Sequence, residues 1–256
     1  MKISLSFDIE PDLHTEGYDG ITEGIPSIVK ILDRYKIKGT FFVTCDCIEK
    51  YPKIFQKLVK EGHEISLHAY RHERFDDLSI HEKEEQIKKS ISCFKKILKM
   101  KPSGFRAPQH SIDDDALSLL GKYGFKYDSS KTPLNAMQFV FFPTRITRNF
   151  SGFFSNPRKH RTNGLIEIPP TSLLVPFVSL FVRVLPKFLQ SAYVNALKIL
   201  FKEAIFYAHS WDFIEMKESS VDKNFSHNRF IENLDYLIRS NIKKNKFVKI
   251  EELANL

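Results

Sequence analysis

Two histidines four residues apart, His68 and His72, follow a short apolar run, Glu64-Ile65-Ser66-Leu67. If the chain turns helical after Leu67, positions i and i+4 share a face and both imidazoles can reach one metal ion. Two ligands do not make a site, because a catalytic zinc takes three protein ligands and keeps a position open for water. The first strand offers the missing carboxylate. Ile3, Leu5, Phe7 and Ile9 alternate with Ser4, Ser6 and Asp8, the period of an extended chain. Glu10 stands two positions past Asp8 and so faces the same way, with Pro11 ending the strand and Asp12 as the next acid. Paired acids at a strand end, together with a histidine pair, point to metal-assisted acid–base chemistry.

The elements that must position these residues alternate between strand and helix. Ile28, Val29, Ile31, Leu32 and Tyr35 form a helical stripe closed near Gly39, and residues 40–44 read as the next strand. A helix over residues 52–61, stopped by Gly62, leads into the histidine strand. Ser79-Ile80-His81-Glu82 has capping-box spacing and opens a helix carrying Ile87, Ile91, Phe94 and Leu98. Residues 104–106 form a short strand, and Ser111 begins a helix whose first turn holds Asp113, Asp114 and Asp115 as caps rather than ligands. Residues 125–128, 165–168, 204–208 and 247–250 complete the strands, with a helix over 230–238 before the last. This alternation implies a mainly parallel sheet covered by helices, either doubly wound or closed into a barrel. Asp8, His68, Arg106, Asp128 and His209 all fall at the carboxyl ends of strands, where barrels carry their active sites, and this favours the barrel.

A chain of 256 residues can bury a substantial core, and its composition asks for no second domain, so residues 1–256 read as one catalytic domain. The opening residues read as a strand, without the apolar run and small-residue cleavage site of a secretory signal. Cys45, Cys47 and Cys93 are an odd set without framework spacing, in keeping with a reducing compartment. The expectation is a cytoplasmic protein, with the inner membrane face as a variant. Cys45-Asp46-Cys47 could contribute to a metal site, but reads more simply as buried thiols. The net charge of +8 is concentrated: residues 131–200 hold nine Lys or Arg, among them Arg145 and Arg148, against the single acid Glu167. A basic surface favours a phosphate-bearing or membrane-surface partner, although solvated basic loops are commoner.

Five short motifs occur in order. They are Ser6-Phe7-Asp8-Ile9-Glu10, the H-x-x-x-H of His68 to His72, Arg106-Ala107-Pro108, Tyr127-Asp128-Ser129-Ser130, and Ala208-His209-Ser210-Trp211. Over residues 6–253 they resemble the polysaccharide deacetylase family, the NodB-homology domain of carbohydrate esterase family four. The resemblance implies an α/β fold, a distorted (β/α) barrel of about seven strands, and metal-dependent removal of acetyl groups from N-acetylated sugars. It implies Glu10, His68 and His72 as ligands of a divalent ion, zinc by preference. Motif one reads Asp-Ile-Glu where many members have adjacent aspartates, which keeps Asp12 open as a substitute for Glu10. Asp8 would then be the general base and Arg106 the partner that orients it. His209 would be the general acid that protonates the departing amine, oriented and kept protonated by Asp128. The backbone N–H of Gln109 would help hold the tetrahedral anion, and Trp211 would line the sugar pocket or serve the core. His14, His63 and His110 lie near the motifs without an assigned role.

Residues 173–186 are unusually apolar, yet shorter than the ~20 residues needed to span a bilayer, and they are interrupted by Pro176, Arg183 and Pro186. Packing against the barrel is the simpler reading. In the alternative the segment dips into a membrane surface, which with the basic excess suggests a sugar attached to a lipid phosphate. Nucleic acid is not an expected partner, since no recognition module accompanies the basic residues. Three functions compete: a deacetylase of an N-acylated sugar or glycoconjugate, the same barrel acting on a formamide or another small amide, and a catalytically silent carbohydrate-binding homologue in which Glu10 fails as a ligand.

Overall fold

Strand β1 (Lys2–Ile9) lies one strand in from an edge of a single sheet and is buried on both faces. Ile3, Leu5, Phe7 and Ile9 join the main apolar core, while Ser4, Ser6 and Asp8 are buried on the opposite face. β2 (Thr40–Val43), β3 (Glu64–Leu67), β4 (Gly104–Phe105) and β5 (Tyr127–Asp128) follow in order on one side, with β6 (His160–Thr162) and β7 (Leu165–Glu167) beyond them. β8 (Glu203–His209) pairs with the other side of β1, and β9 (Lys246–Phe247) pairs with the first residues of β1. Seven parallel strands thus run β7-β5-β4-β3-β2-β1-β8, and β6 adds antiparallel at the β7 edge. The structure, a computed structural model, describes residues 1–12, 17–133, 155–173, 175–215 and 226–254; His14, Arg145 and Arg148 lie outside them.

The sheet is a curled half-barrel. The chain after β7 lines the outer edge of β8: Thr171 N–H donates to the Ile205 carbonyl at 3.1 Å, and Tyr207 N–H donates to that of Phe177 at 3.3 Å. Its concave side is filled by a second apolar cluster that includes Phe42, Tyr127, Ile166, Ile205, Ile250 and Leu253. Helices α1 (Ile25–Arg34), α2 (Cys45–Lys50), α3 (Pro52–Lys60), α4 (Ile80–Cys93) and α5 (Asp114–Lys122) connect the first strands. α6 (Ser179–Val184) and α7 (Lys187–Leu200) precede β8, and α8 (His227–Asn241) and α9 (Ile250–Ala254) follow it.

Local chemistry explains most boundaries. Ser79 and Glu82 form the expected capping box, with Glu82 N–H donating to Ser79 Oγ at 3.3 Å and Ser79 N–H to Glu82 Oε2 at 2.8 Å. The next helix starts later than Ser111: Asp113 is its cap and accepts from Ala116 N–H at 2.9 Å, while Ser111 Oγ accepts from Phe75 N–H. The strand expected over 247–250 is cut to two residues, because Thr40 Oγ1 and Glu64 Oε2 accept the N–H groups of Ile250 and Glu251 and cap a helix there. α2 was not legible as a separate helix. Cys45, Cys47 and Cys93 are buried free thiols. The apolar stretch 173–186 packs, with Phe177, Phe181 and Val182 buried in the core, and among the described residues no helix is long and apolar enough to cross a membrane.

Candidate active site

Parallel pairing brings the carboxyl ends of all seven strands to one side, and the candidate residues gather there. Glu10 follows β1, and His68 and His72 follow β3. Glu10 Oε2 lies 3.0 Å from His68 Nε2 and 2.5 Å from His72 Nε2. The three donor atoms fall within 4.8 Å of one another. His68 Nδ1–H donates to the Arg106 carbonyl at 2.7 Å, so Nε2 is the nitrogen that faces Glu10, donating to the carboxylate while the ring is protonated and offering a lone pair when it is neutral. Two imidazole lone pairs and one carboxylate oxygen, with a ring held from behind by a carbonyl, are a donor set that fits a divalent ion such as zinc. Burial penalises the Glu10 carboxylate, but hydrogen bonds from His68 and His72 outweigh it and hold the carboxyl well below its usual range.

The two histidines do not sit on a helix. Ala69 turns the chain at a φ of 69°, and α2 anchors the loop through Cys45 N–H to Ala69 O and Asp46 N–H to Tyr70 O, each at 3.2 Å. The loop carrying His68 and His72 therefore hangs on the first turn of α2. Asp12 is not part of the cluster: its carboxylate accepts from Asp19 N–H at 2.6 Å and Gly20 N–H at 3.0 Å, tying down the turn before α1.

Asp8 and Arg106 form a buried ion pair, with Nη1 2.7 Å from Oδ1. The guanidinium is fully buried; it also donates to Ser6 Oγ, Ser129 Oγ and Ser129 O, and lies 4.1 Å from the centre of the Phe42 ring. Burial raises the Asp8 carboxyl, but Arg106, followed by His68 and His209, overcomes this and keeps it below its ordinary value. Asp8 and His209 are register partners on adjacent parallel strands, so their Cα atoms stand about 4.8 Å apart.

The partner of His209 is Asp212, not Asp128. Asp212 Oδ2 accepts from the His209 backbone N–H at 2.7 Å and lies 3.7 Å from Nδ1, an electrostatic contact rather than a hydrogen bond. Burial opposes an imidazolium at His209, yet the Asp212 carboxylate, with Glu10 and Asp8, outweighs it and raises the pKa to about 9. Trp211 is buried and stacks on the His209 ring at 4.3 Å with an interplanar angle of 6°, so it supports the imidazole instead of forming an open pocket wall. Arg183 completes the arrangement, donating to Asp212 Oδ1 at 2.7 Å. Asp128 turns the other way because Ser130, two residues on, satisfies it: Oδ2 accepts from Ser130 N–H and Oδ1 from Ser130 Oγ, which in turn accepts from Ala107 N–H. Its work is to hold the loop that carries Arg106.

Gln109 and His110 continue that loop in two successive left-handed conformations, φ 54° and 57°. The Gln109 side chain is exposed. His110 Nδ1–H donates to the Ser130 carbonyl at 3.1 Å, and its ring lies 5.1 Å from that of Tyr207. Burial, reinforced by Arg106, pushes the His110 pKa down to about 3 and keeps the ring neutral beside the charged groups. Asp212, Arg183 and His110 were thus not identified from sequence. A signal existed for two of them: Asp212 lies one helical turn past His209, and a lone arginine inside an apolar stretch must find a partner when buried.

A sequence profile of the polysaccharide deacetylase family matches residues 1–127. The chain is 32% identical over 154 residues to a peptidoglycan deacetylase-like protein, FGM2, of Gibberella zeae, covering 57% of this chain and 46% of that one. It is 31% identical over 120 residues to a peptidoglycan deacetylase of Helicobacter pylori, covering 47% and 41%. The chain therefore spans less than half the length of these curated relatives. A solved structure from Mycobacterium smegmatis, described as a polysaccharide deacetylase, superposes with a TM-score of 0.73 at 18% identity, covering 99% of this chain and 88% of the other, and shows the same fold. With five motifs at the strand ends of a curled half-barrel and a family match over its first four strands, residues 1–127 match the polysaccharide deacetylase family and the chain shares the fold of a solved structure described by that name.

Proposed function

We propose that the protein is a metal-dependent deacetylase of an N-acetylated sugar or glycoconjugate. The observation that carries this reading is the meeting of a Glu–His–His donor set with a buried Asp–Arg pair and His209 at the same strand ends. Glu10, His68 and His72 would hold a divalent ion, zinc by preference, which supplies a Lewis acid for an amide carbonyl and lowers the pKa of a water. Arg106 holds Asp8 Oδ1, so Oδ2 is the atom that takes a proton from the attacking water. The water oxygen bonds to the amide carbon, and Gln109 N–H supports the developing negative charge. His209 gives its proton to the nitrogen as the carbon–nitrogen bond breaks, leaving acetate and a free amine. The substrate class follows from the relatives, which are described as peptidoglycan deacetylases.

The test is paired substitution. Asp8→Asn is expected to keep bound metal at wild-type stoichiometry and to lose at least about a hundredfold in kcat, the usual worth of a general base. His68→Ala is expected to lose both metal and turnover. Turnover is read as acetate released from a panel of N-acetylated oligosaccharides, with N-formylated counterparts in parallel. Formate release alone would move the reading to a deformylase, and metal binding without release of either acid would leave a carbohydrate-binding homologue.

A further inference from the structure

The outer face of α7 differs from those of the other long helices. α3 and α4 turn Lys57, Lys60, Lys88 and Lys89 to solvent, whereas α7 exposes Phe188 at 69% and Ile199 at 85% of their full surface, together with Leu189 and Leu200. At 100° per residue, Phe188, Ala192, Asn195 and Ile199 fall within about 60° of one another, a stripe about 16 Å long. Lys187 and Lys198 flank it on one edge, and Val184, at the end of α6, extends it. The buried side of the helix is also apolar, with Val194 and Leu197 in the core, so core packing does not account for the outer stripe.

Charge narrows the choice of occupant. Between residues 168 and 202 the chain contains no Asp or Glu but four basic residues. At the margins, Glu203 is held by Lys159, and Glu232 of α8 lines the groove beside Phe188. A second copy docking this face on itself would set Lys187 and Lys198 against their own counterparts, a like-charge arrangement that costs affinity. A nucleic acid has no use for four exposed large apolar side chains. An anionic bilayer satisfies both features, because the apolar stripe enters the acyl boundary while lysines at its edge meet lipid phosphates.

We infer that the α7 face, from Val184 to Leu200, rests on an anionic membrane surface. The contact shares only the end of the segment 173–186, from Val184 on, while Phe177 and Phe181 of that segment are in the core. At its upper end Arg183 of α6 holds Asp212 beside His209, so the docked face carries the candidate active site to the lipid head groups. Resting on the proposed activity, that placement suits a sugar joined to a lipid anchor; the docking itself does not depend on catalysis.

The full chain is sedimented with vesicles of phosphatidylcholine and with an equal mixture of phosphatidylcholine and phosphatidylglycerol, at low and high salt. Binding is expected to the anionic vesicles at low salt, weakened by salt, and reduced at least about tenfold by Lys187→Glu with Lys198→Glu. Phe188→Ser with Ile199→Ser is expected to remove it at either salt. All four substitutions are on the surface, and unchanged thermal melts and unchanged hydrolysis of a soluble substrate show that fold and site are intact. Equal binding to neutral and anionic vesicles, or wild-type binding by the Phe188/Ile199 variant, overturns the proposal. So does a concentration-dependent dimer in sedimentation velocity that this variant abolishes without any vesicle binding by the wild type.

Discussion

Asp212 gives His209 its charge from only three residues along the chain, and Arg183 fixes Asp212 from the far side of the same carboxylate. A general acid works only while protonated, and a pKa raised to about 9 keeps this imidazolium present through neutral pH and lost above it. Asp212→Asn removes the nearest negative charge, so the His209 pKa falls toward its ordinary value of about 6.5. The alkaline limb of the kcat profile should move down by one to two pH units. At pH 8 this appears as roughly a tenfold loss of kcat with little change in KM, and most of it is recovered at pH 6. Asp128→Asn is the control: its carboxylate holds the Ser130–Ala107 loop, so the alkaline limb should stay in place while activity falls through Arg106. An unmoved limb in the Asp212 variant would separate His209 from the acid role.

At the scale of elements, the loop carrying His209 is held by the turn before α1. A β-carbon on Gly24 would lie 2.3 Å from the Ser210 carbonyl oxygen, and one on Gly20 would crowd Ser210 Oγ and Trp211 N, so only glycines allow this approach. Gly24→Ala is expected to cost about 1–3 kcal/mol, as overpacking does. It should lower the melting temperature by several degrees and kcat by about tenfold while leaving metal content intact, because Glu10, His68 and His72 lie on other segments. How much was legible in the sequence follows the same division between local and distant contacts. β1, β3, the capping box at Ser79 and the Gly62 stop were readable because period and cap chemistry lie within a few residues. The cluster of Glu10, His68 and His72 could be read, but the loop that carries the histidines could not, since Ala69 is turned by N–H groups of α2 and not by its own neighbours. The His209 partner was misassigned to Asp128 for a similar reason: motif order shows which residues approach, while Ser130 and Asp212 decide which way the carboxylates turn. The last strand was overextended because the caps that end it, Thr40 and Glu64, lie about two hundred residues away.

The whole molecule uses the two ends of its sheet differently, and β3 joins them. At its carboxyl end His68 faces the candidate site; at its amino end the buried Glu64 carboxylate collects four donors. Tyr127 Oη donates to it at 2.5 Å, Thr40 Oγ1 at 2.7 Å, Ser66 Oγ at 2.9 Å and Glu251 N–H at 3.0 Å, so β2, β3, β5 and α9 meet on one side chain. α9 thereby seals the end opposite the chemistry, with Ile250 and Leu253 in the concave cluster. Glu64→Ala leaves those donors buried and without their acceptor, at about 1–3 kcal/mol for each group that water cannot reach. A total loss on the order of 3–5 kcal/mol is expected in urea unfolding at neutral pH, with rapid amide exchange appearing at residues 250–254. Burial raises the Glu64 carboxyl, and the hydrogen bonds offset this only in part. The folded wild type therefore binds this proton more tightly than the unfolded chain does, and loses stability as pH rises above the ordinary glutamate pKa. The gap between variant and wild type should accordingly narrow from pH 5 to pH 8. A gap that widens with pH would mean that Glu64 favours the fold as a carboxylate, and protected exchange at 250–254 in the variant would show that α9 is held by its apolar contacts alone.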